Sequence, residues 1–161
     1  MRTYHKDNNA DFTCKYCGWT VSTRAEISGV TNRNHCPFCL HSRHVDLFNP
    51  GDRLCACKGL MAPVGLTLKE TRDKYAAQTN GELMLVHRCN ACGAISINRI
   101  AADDDAAMLL AILGDNLEEQ PVLSERCKTS GIQLLRDNHC YLVYTQLFGG
   151  VTLPRPAAAV I

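Results

Sequence analysis

Cys14 with Cys17 and Cys36 with Cys39 form two tight cysteine pairs near the start of the chain, with 18 residues between the pairs. The spacing C-x2-C-x18-C-x2-C can bring four thiolates to one point and close a tetrahedral shell around zinc, at Zn–S distances of about 2.3 Å. A shell of four cysteines leaves no coordination position for water, so this zinc is expected to be structural. It contributes folding energy directly, because so short a segment has few core residues of its own. Trp19 and Phe38 are expected to shield the metal.

A third pair, Cys89 and Cys92, is followed by Gly93 and so echoes Cys14, Cys17 and Gly18. In such a knuckle the chain reverses so that backbone N–H groups point at the sulfurs, and glycine accepts the positive φ required after the second cysteine. Cys57 is the best third ligand of a second centre. Spacing leaves the fourth open between Cys55, which would give the less favourable bite of C-x-C, and the imidazoles of His44 and His87. Two Zn2+ ions are therefore expected. An open fourth position would let a bound water ionise, with Asp46 as the nearest base. The chain has neither H-E-x-x-H nor the H-x-E and P-C-x-x-C of zinc deaminases. Cys127 and Cys140 have no knuckle around them and read as buried small hydrophobes. Gly149-Gly150 lacks the Lys and Ser/Thr of a phosphate loop.

Short elements must position these ligands. Residues 64–69 alternate loosely and 95–100 alternate apolar and polar as half-buried strands do; with the apolar run 83–87 they make a three-stranded meander, and the third cysteine pair falls at one of its turns. Pro50-Gly51-Asp52 and Thr79-Asn80-Gly81 mark turns. Asp103-Asp104-Asp105 before residues 106–113, and Gly114 behind them, frame a short helix. Leu134, Leu135, Leu142, Val143 and Leu147 suggest one or two more. The expected fold is a small β-rich zinc-binding domain, with two zinc-ribbon or knuckle modules and short antiparallel strands, followed by an α-helical C-terminal extension. Its parts are a flexible N-terminus over 1–11, the double zinc-binding domain over 12–113, and a helical extension with a loose tail over 114–161.

The chain has 161 residues and a net charge of +1, about one ordinary domain. Residues 1–100 carry 13 Lys and Arg against 8 Asp and Glu, and residues 101–161 carry 4 against 8. Each zinc with four thiolates adds about −2, so the front part is nearly neutral and carries no broad basic field. The opening residues hold no apolar run, so no secretory signal is expected. No stretch is long and apolar enough to span a membrane. Ten cysteines in a chain without export read as metal ligands in the reducing cytoplasm rather than as disulfides.

Arg33-Asn34-His35-Cys36-Pro37 resembles the pentapeptide after which the bacterial RNHCP domain family is named. The resemblance extends through His44-Val45-Asp46, Pro50-Gly51-Asp52-Arg53, Cys57, Gly59-Leu60-Met61 with Pro63, His87-Arg88-Cys89 with Cys92-Gly93, and Asn98-Arg99 with Asp103-Asp104. It covers residues 12–113. It implies His44, Cys57, His87, Cys89 and Cys92 as groups of the second centre and gives Cys55 no special support. It implies a fold and no activity.

Arg33, Arg43, Arg53, Arg88 and Arg99 adjoin the ligand clusters, where rigid hairpins could hold them against phosphates at little ordering cost. The leading expectation is a zinc-binding module for RNA, the ribosome or another nucleic acid, a binding function rather than a catalytic one, with the enzyme question left open. The same arginines could instead pair with Asp46, Asp52 and backbone carbonyls to brace the two modules, a use as good as phosphate contact for Arg33 and Arg99. The alternative function is a protein-interaction adaptor that docks a partner through its acidic helical extension. A third is a metal-dependent nuclease or hydrolase built on His35, His41 and His44 near Asn34.

Overall fold

The structure, a computed structural model, describes residues 10–70, 81–114 and 121–150. Thr79 and Asn80 of the expected turn, the terminus before residue 10 and the tail from 151 lie outside the described residues. Two short strands, β1 (Phe12–Thr13) and β2 (Thr20–Val21), pair antiparallel around the first knuckle, and α1 (Ala25–Ser28) follows. The main sheet has four antiparallel strands in sequence order: β3 (Ser42–Arg43), β4 (Leu60–Lys69), β5 (Glu82–Cys89) and β6 (Ile95–Arg99). The expected meander is β4-β5-β6, with Cys89 and Cys92 at its second turn, and β3 is added at the edge.

β4 contains Pro63, which has no N–H to give a ladder. The register with β5 accordingly shifts between Pro63 and Gly65, leaving Val64 as an extra residue. Such a bulge tightens local twist. Gly65 then admits Leu134, whose Cδ2 would lie 2.8 Å from a Cβ at that position.

β5 is covered on both faces, because alternate residues of a strand point to opposite sides. Leu83 and Leu85 join Leu40, Leu66, Leu109, Ile112, Leu113, Leu135 and Val143 in one core cluster. Val86 packs with Leu123 and Cys127 in another. The first cluster draws on α2 (Ala106–Gly114) and α4 (Cys140–Phe148), and the second on α3 (Pro121–Thr129). Asp105 caps α2 by accepting the N–H groups of Ala107 and Met108 at 2.9 and 3.1 Å, the role expected of an acid ahead of a helix. α3 and α4 thus bury the sheet rather than trail from it. Cys127 is buried as expected, whereas Cys140 stands exposed at the start of α4 and is corrected accordingly.

Leu135 is buried and its N–H donates to Leu66 O at 2.8 Å. Leu135→Ala is expected to lower whole-chain stability by about 2–5 kcal/mol in a single cooperative urea transition. A separate transition that leaves the zinc-binding part unchanged would show the helices to be an independent unit.

Candidate metal centre

The sulfurs of Cys14, Cys17, Cys36 and Cys39 lie within 4.8 Å of one another, and so do the sulfurs of Cys57, Cys89 and Cys92 with a ring nitrogen of His44. In the first group Cys14 Sγ is 3.6 Å from Cys39 Sγ, and Cys17 Sγ is 3.6 Å from Cys36 Sγ. In the second, Cys57 Sγ lies 3.7 Å from Cys89 Sγ, and Cys92 Sγ lies 3.2 Å from His44 Nδ1. A tetrahedral zinc with Zn–S bonds of about 2.3 Å sets sulfurs about 3.8 Å apart. Both groups fit one zinc ion each, the first as a shell of four thiolates and the second as a shell of three thiolates and one imidazole. Both shells are filled by protein groups.

The first centre is built from two reversals. Cys14 N–H donates to Trp19 O and Gly18 N–H to Cys14 O. Cys36 N–H donates to His41 O and Leu40 N–H to Cys36 O. The residue after the second cysteine has positive φ in each, 76° at Gly18 and 58° at Leu40. Burial pushes the Cys36 thiol up although the Cys39 and Phe38 N–H groups oppose it, and burial raises Cys39 still more. Tyr16 stacks on His41 at 3.6 Å, and Trp19 meets Phe38 edge-on at 4.7 Å. These rings border the centre without closing it off, for Trp19 remains 57% and Phe38 49% exposed.

The second centre draws on three parts of the chain. His44 continues the pairing of β3 with β4: its N–H donates to Gly59 O, and its carbonyl accepts from Lys58 N–H. That pairing brings the imidazole beside Cys57. Lys58 has φ 52°, and a Cβ on Gly59 would lie 2.8 Å from Cys89 Sγ and 3.3 Å from Cys57 Sγ. Gly59 is therefore a packing requirement of the site that spacing alone did not reveal, although it stands in the resemblance motif. Gly93 turns the Cys89–Cys92 knuckle with φ 77°. The Arg126 guanidinium of α3 closes over that turn, its Nη1 donating to Gly93 O at 3.2 Å. Burial works against ionisation of Cys89, but the N–H groups of Cys92 and Ala91 and the adjacent thiols outweigh it and bring the group down to about 6.

Cys55 and His87 go elsewhere. Cys55 is buried with its N–H on Val45 O and does not join the cluster. His87 is wholly enclosed: Nε2–H donates to Leu40 O at 2.6 Å, and Nδ1 accepts from Asn98 Nδ2 at 2.8 Å. With both nitrogens engaged it has none to offer a metal, and burial, aided by the nearby His35, holds it at about 3.

The arginines also divide. Arg33 is buried; its Nη1 grips both oxygens of Asp103 at 2.7 and 2.8 Å, Nη2 reaches Asp104, and Nε donates to His35 O. The expectation that it contacts phosphate is corrected: the guanidinium has no exposed side, and it braces. Arg53 pairs with Asp46 at 3.5 Å and donates to Arg33 O, and Arg99 pairs with Glu82 at 2.8 Å. Among the described residues Asp52 takes no arginine; its carboxylate accepts the N–H groups of Leu47, Phe48, Asn49 and Leu54, which hold it well below the usual range. Arg43 and Arg88 are half-buried. Arg43 donates to Lys58 O at 3.4 Å, and the Arg88 Nε has no partner among the described residues. The three histidines suggested for hydrolysis separate: His35 Nε2 donates to Asp104, His41 Nδ1 donates to Cys39 O, and His44 joins the second centre.

The family model described as the RNHCP domain matches residues 9–110, well over half of the chain. No curated protein and no solved structure matches it.

Metal content measured after denaturation should be two zinc ions in the wild type, one in Cys57→Ser and one in His44→Ala, with Cys55→Ser retaining two. Retention of two in Cys57→Ser would break this assignment. His87 also gives a pH dependence. An unfolded histidine titrates near 6.5, so between there and about 3 the unfolded chain holds the extra proton. Stability is then full above the unfolded value and falls as pH drops. With zinc in excess, wild type should lose about 1.2 kcal/mol more between pH 6 and 5 than His87→Gln, by urea titration.

Proposed function

The chain belongs to the RNHCP domain family, and on that premise we propose that it is a zinc-held module that binds single-stranded RNA, free or on the ribosome. The observation that carries this reading is the aromatic rim of the first centre, where Tyr16, Trp19 and Phe38 are 60%, 57% and 49% exposed. Tyr16 lies between Cys14 and Cys17, and Phe38 between Cys36 and Cys39, so the metal fixes the backbone that carries each ring. Rings held in place by a closed metal shell lose little entropy when bases stack on them. Base–aromatic stacking contributes about 1–3 kcal/mol per base and tolerates any sequence. Arg43, half-buried beside Phe12 and Asn34 along a shallow cavity, is the arginine best suited to a phosphate nearby. The engagement of Arg33 and Arg53 within the fold argues for stacking as the main source of affinity.

A protein-adaptor function is a second reading, and a different surface favours it. The loop before Cys55 shows Phe48 78% exposed while Asp46 and Asp52 rigidify its backbone through N–H bonds. The helical extension can serve the same reading: α2 and α4 pack one face on the core, while Val122 and Tyr141 stay exposed.

Fluorescence anisotropy with a single-stranded RNA oligonucleotide tests the proposal. Trp19→Ala and Phe38→Ala should each weaken binding by about 1–3 kcal/mol with zinc content unchanged. The slope of log K against log salt should stay shallow, roughly −0.7 for each phosphate contact. No binding at low salt would overturn it. Loss of a cross-linked protein partner in Phe48→Ser, with RNA affinity intact, would favour the adaptor.

A further inference from the structure

β6 is the outer strand of the main sheet, and one side of it pairs with nothing among the described residues. The hairpin fixes which groups that side offers. Cys89 N–H donates to Ala94 O at 2.8 Å, and the register runs on unbroken from Arg88–Ile95 to Met84–Arg99. Bonded and non-bonded pairs alternate along an antiparallel ladder, so Ser96 and Asn98 turn their N–H and C=O groups to β5. Ile95, Ile97 and Arg99 turn theirs outward. Protein edges of this kind are blunted by lysine, proline, a bulge or extreme shortness. The opposite edge, β3, has only two residues, whereas β6 has five and none of these devices.

The free edge opens into a slot. A cavity of about 300 Å³ is lined by Ile97, Asn98 and Arg99 together with Met84, Asn32 and Pro50. Successive residues of a strand face opposite sides of the sheet, so three in a row line one cavity only where it lies along the edge. The other wall is held in place by its own bonds. Asn32 Nδ2 donates to Pro50 O at 3.4 Å, Gly51 N–H donates to Asp46, and Arg33 is anchored on Asp103. A slot between a fixed wall and a strand edge receives a single chain at little ordering cost.

We propose that β6 binds an extended segment of a partner protein as a fifth strand of the main sheet. The recognition is of backbone: alternating donors and acceptors along an edge are matched by another strand, with pockets for alternate side chains giving specificity. An RNA backbone presents chiefly acceptors and leaves the outward carbonyls unmet. The side chains of the segment alternate in turn, apolar on the face of Ile97 and Met84 and polar on the face of Asn98. Tyr16, Trp19 and Phe38 take no part, so the strand site is independent of the stacking surface.

Selection of a random peptide library on the full zinc-loaded chain supplies the probe, and amide hydrogen exchange with fluorescence anisotropy reads its binding. In the free chain the amides of Ile97 and Arg99 should exchange faster than those of Ser96 and Asn98, and bound peptide should slow the first two. Arg99→Pro deletes an outward N–H and leaves the β5 ladder whole. The pair it breaks with Glu82 lies at the surface, so zinc content should match the wild type while peptide affinity falls roughly tenfold. N-methylation of the peptide should abolish binding at alternate residues only, a periodicity that docking through side chains does not produce. Trp19→Ala should bind the peptide normally, so failure of this site and failure of the RNA reading are told apart. The proposal is overturned if no peptide is enriched, if bound peptide leaves the exchange of Ile97 and Arg99 unchanged, or if N-methylation acts without alternation. Dimerisation of the chain alone that Arg99→Pro abolishes would also overturn it, by assigning the edge to a second copy.

Discussion

The buried Arg33 guanidinium is the interaction on which the relative placement of the parts depends. It joins the knuckle of the first centre to the turn ahead of α2, with a bidentate grip on Asp103 and a further bond to Asp104. Asp104 also accepts from His35 Nε2 and from Ala101 N–H, and Pro37 O accepts from Asp105 N–H. A fully desolvated cation is tolerable only when its donors are matched, and removing one partner of such a pair costs about 3–5 kcal/mol. The zinc shell shapes the knuckle from within. Arg33 and His35 decide where on the protein that knuckle sits.

The two centres constrain different lengths of chain. The first gathers two local hairpins. The second joins groups 32 and 48 residues apart in Cys57–Cys89 and His44–Cys92, tying the edge pairing of β3 with β4 to the β5–β6 turn. Closing such loops without metal is entropically unfavourable, so zinc binding at the second centre is coupled to the sheet register. Its ligands are also the more accessible, with Cys57 and Cys92 exposed. Arg126 against Gly93 makes α3 a cover for that knuckle, which links the C-terminal helices to the metal as well as to the core.

The three C-x2-C pairs were legible in the sequence because a knuckle is a local object whose ligands and turn residue stand within five positions. β4, β6 and α2 were legible for the same reason, through alternation and flanking acids, and β5 through its apolar run. The fourth ligand was not, because His44 reaches Cys92 only through a strand pairing that no local pattern specifies. By type and position His87 is equally suited, but Leu40 and Asn98 occupy both its nitrogens. The arginines misled in the same way: Arg33 and Asp103 are 70 residues apart, and neither type nor spacing indicates that they meet in the interior. The Cys127 and Cys140 pair shows the limit for burial, since one of two similar thiols faces the core and the other solvent.

Leu40 shows how local chemistry and core packing are reconciled at the motif. Its position requires φ 58°, where Gly18 and Gly93 stand in the other knuckles. A side chain in that region costs about 1–2 kcal/mol, so glycine would be the easier residue if the knuckle had only a metal to hold. Leu40 is completely buried against Leu66, Leu85 and Val143, and full burial of such a side chain contributes about 1.5–3 kcal/mol. Its carbonyl also accepts the His87 hydrogen bond, which a glycine could do without adding to the core. The balance favours leucine, and the consequence is structural: the second knuckle of the first centre is part of the hydrophobic core. Folding of that core and assembly of the metal site are therefore one event at this residue, whereas the Gly18 knuckle, with nothing within 4 Å of the position a Cβ would take, shapes only its own turn.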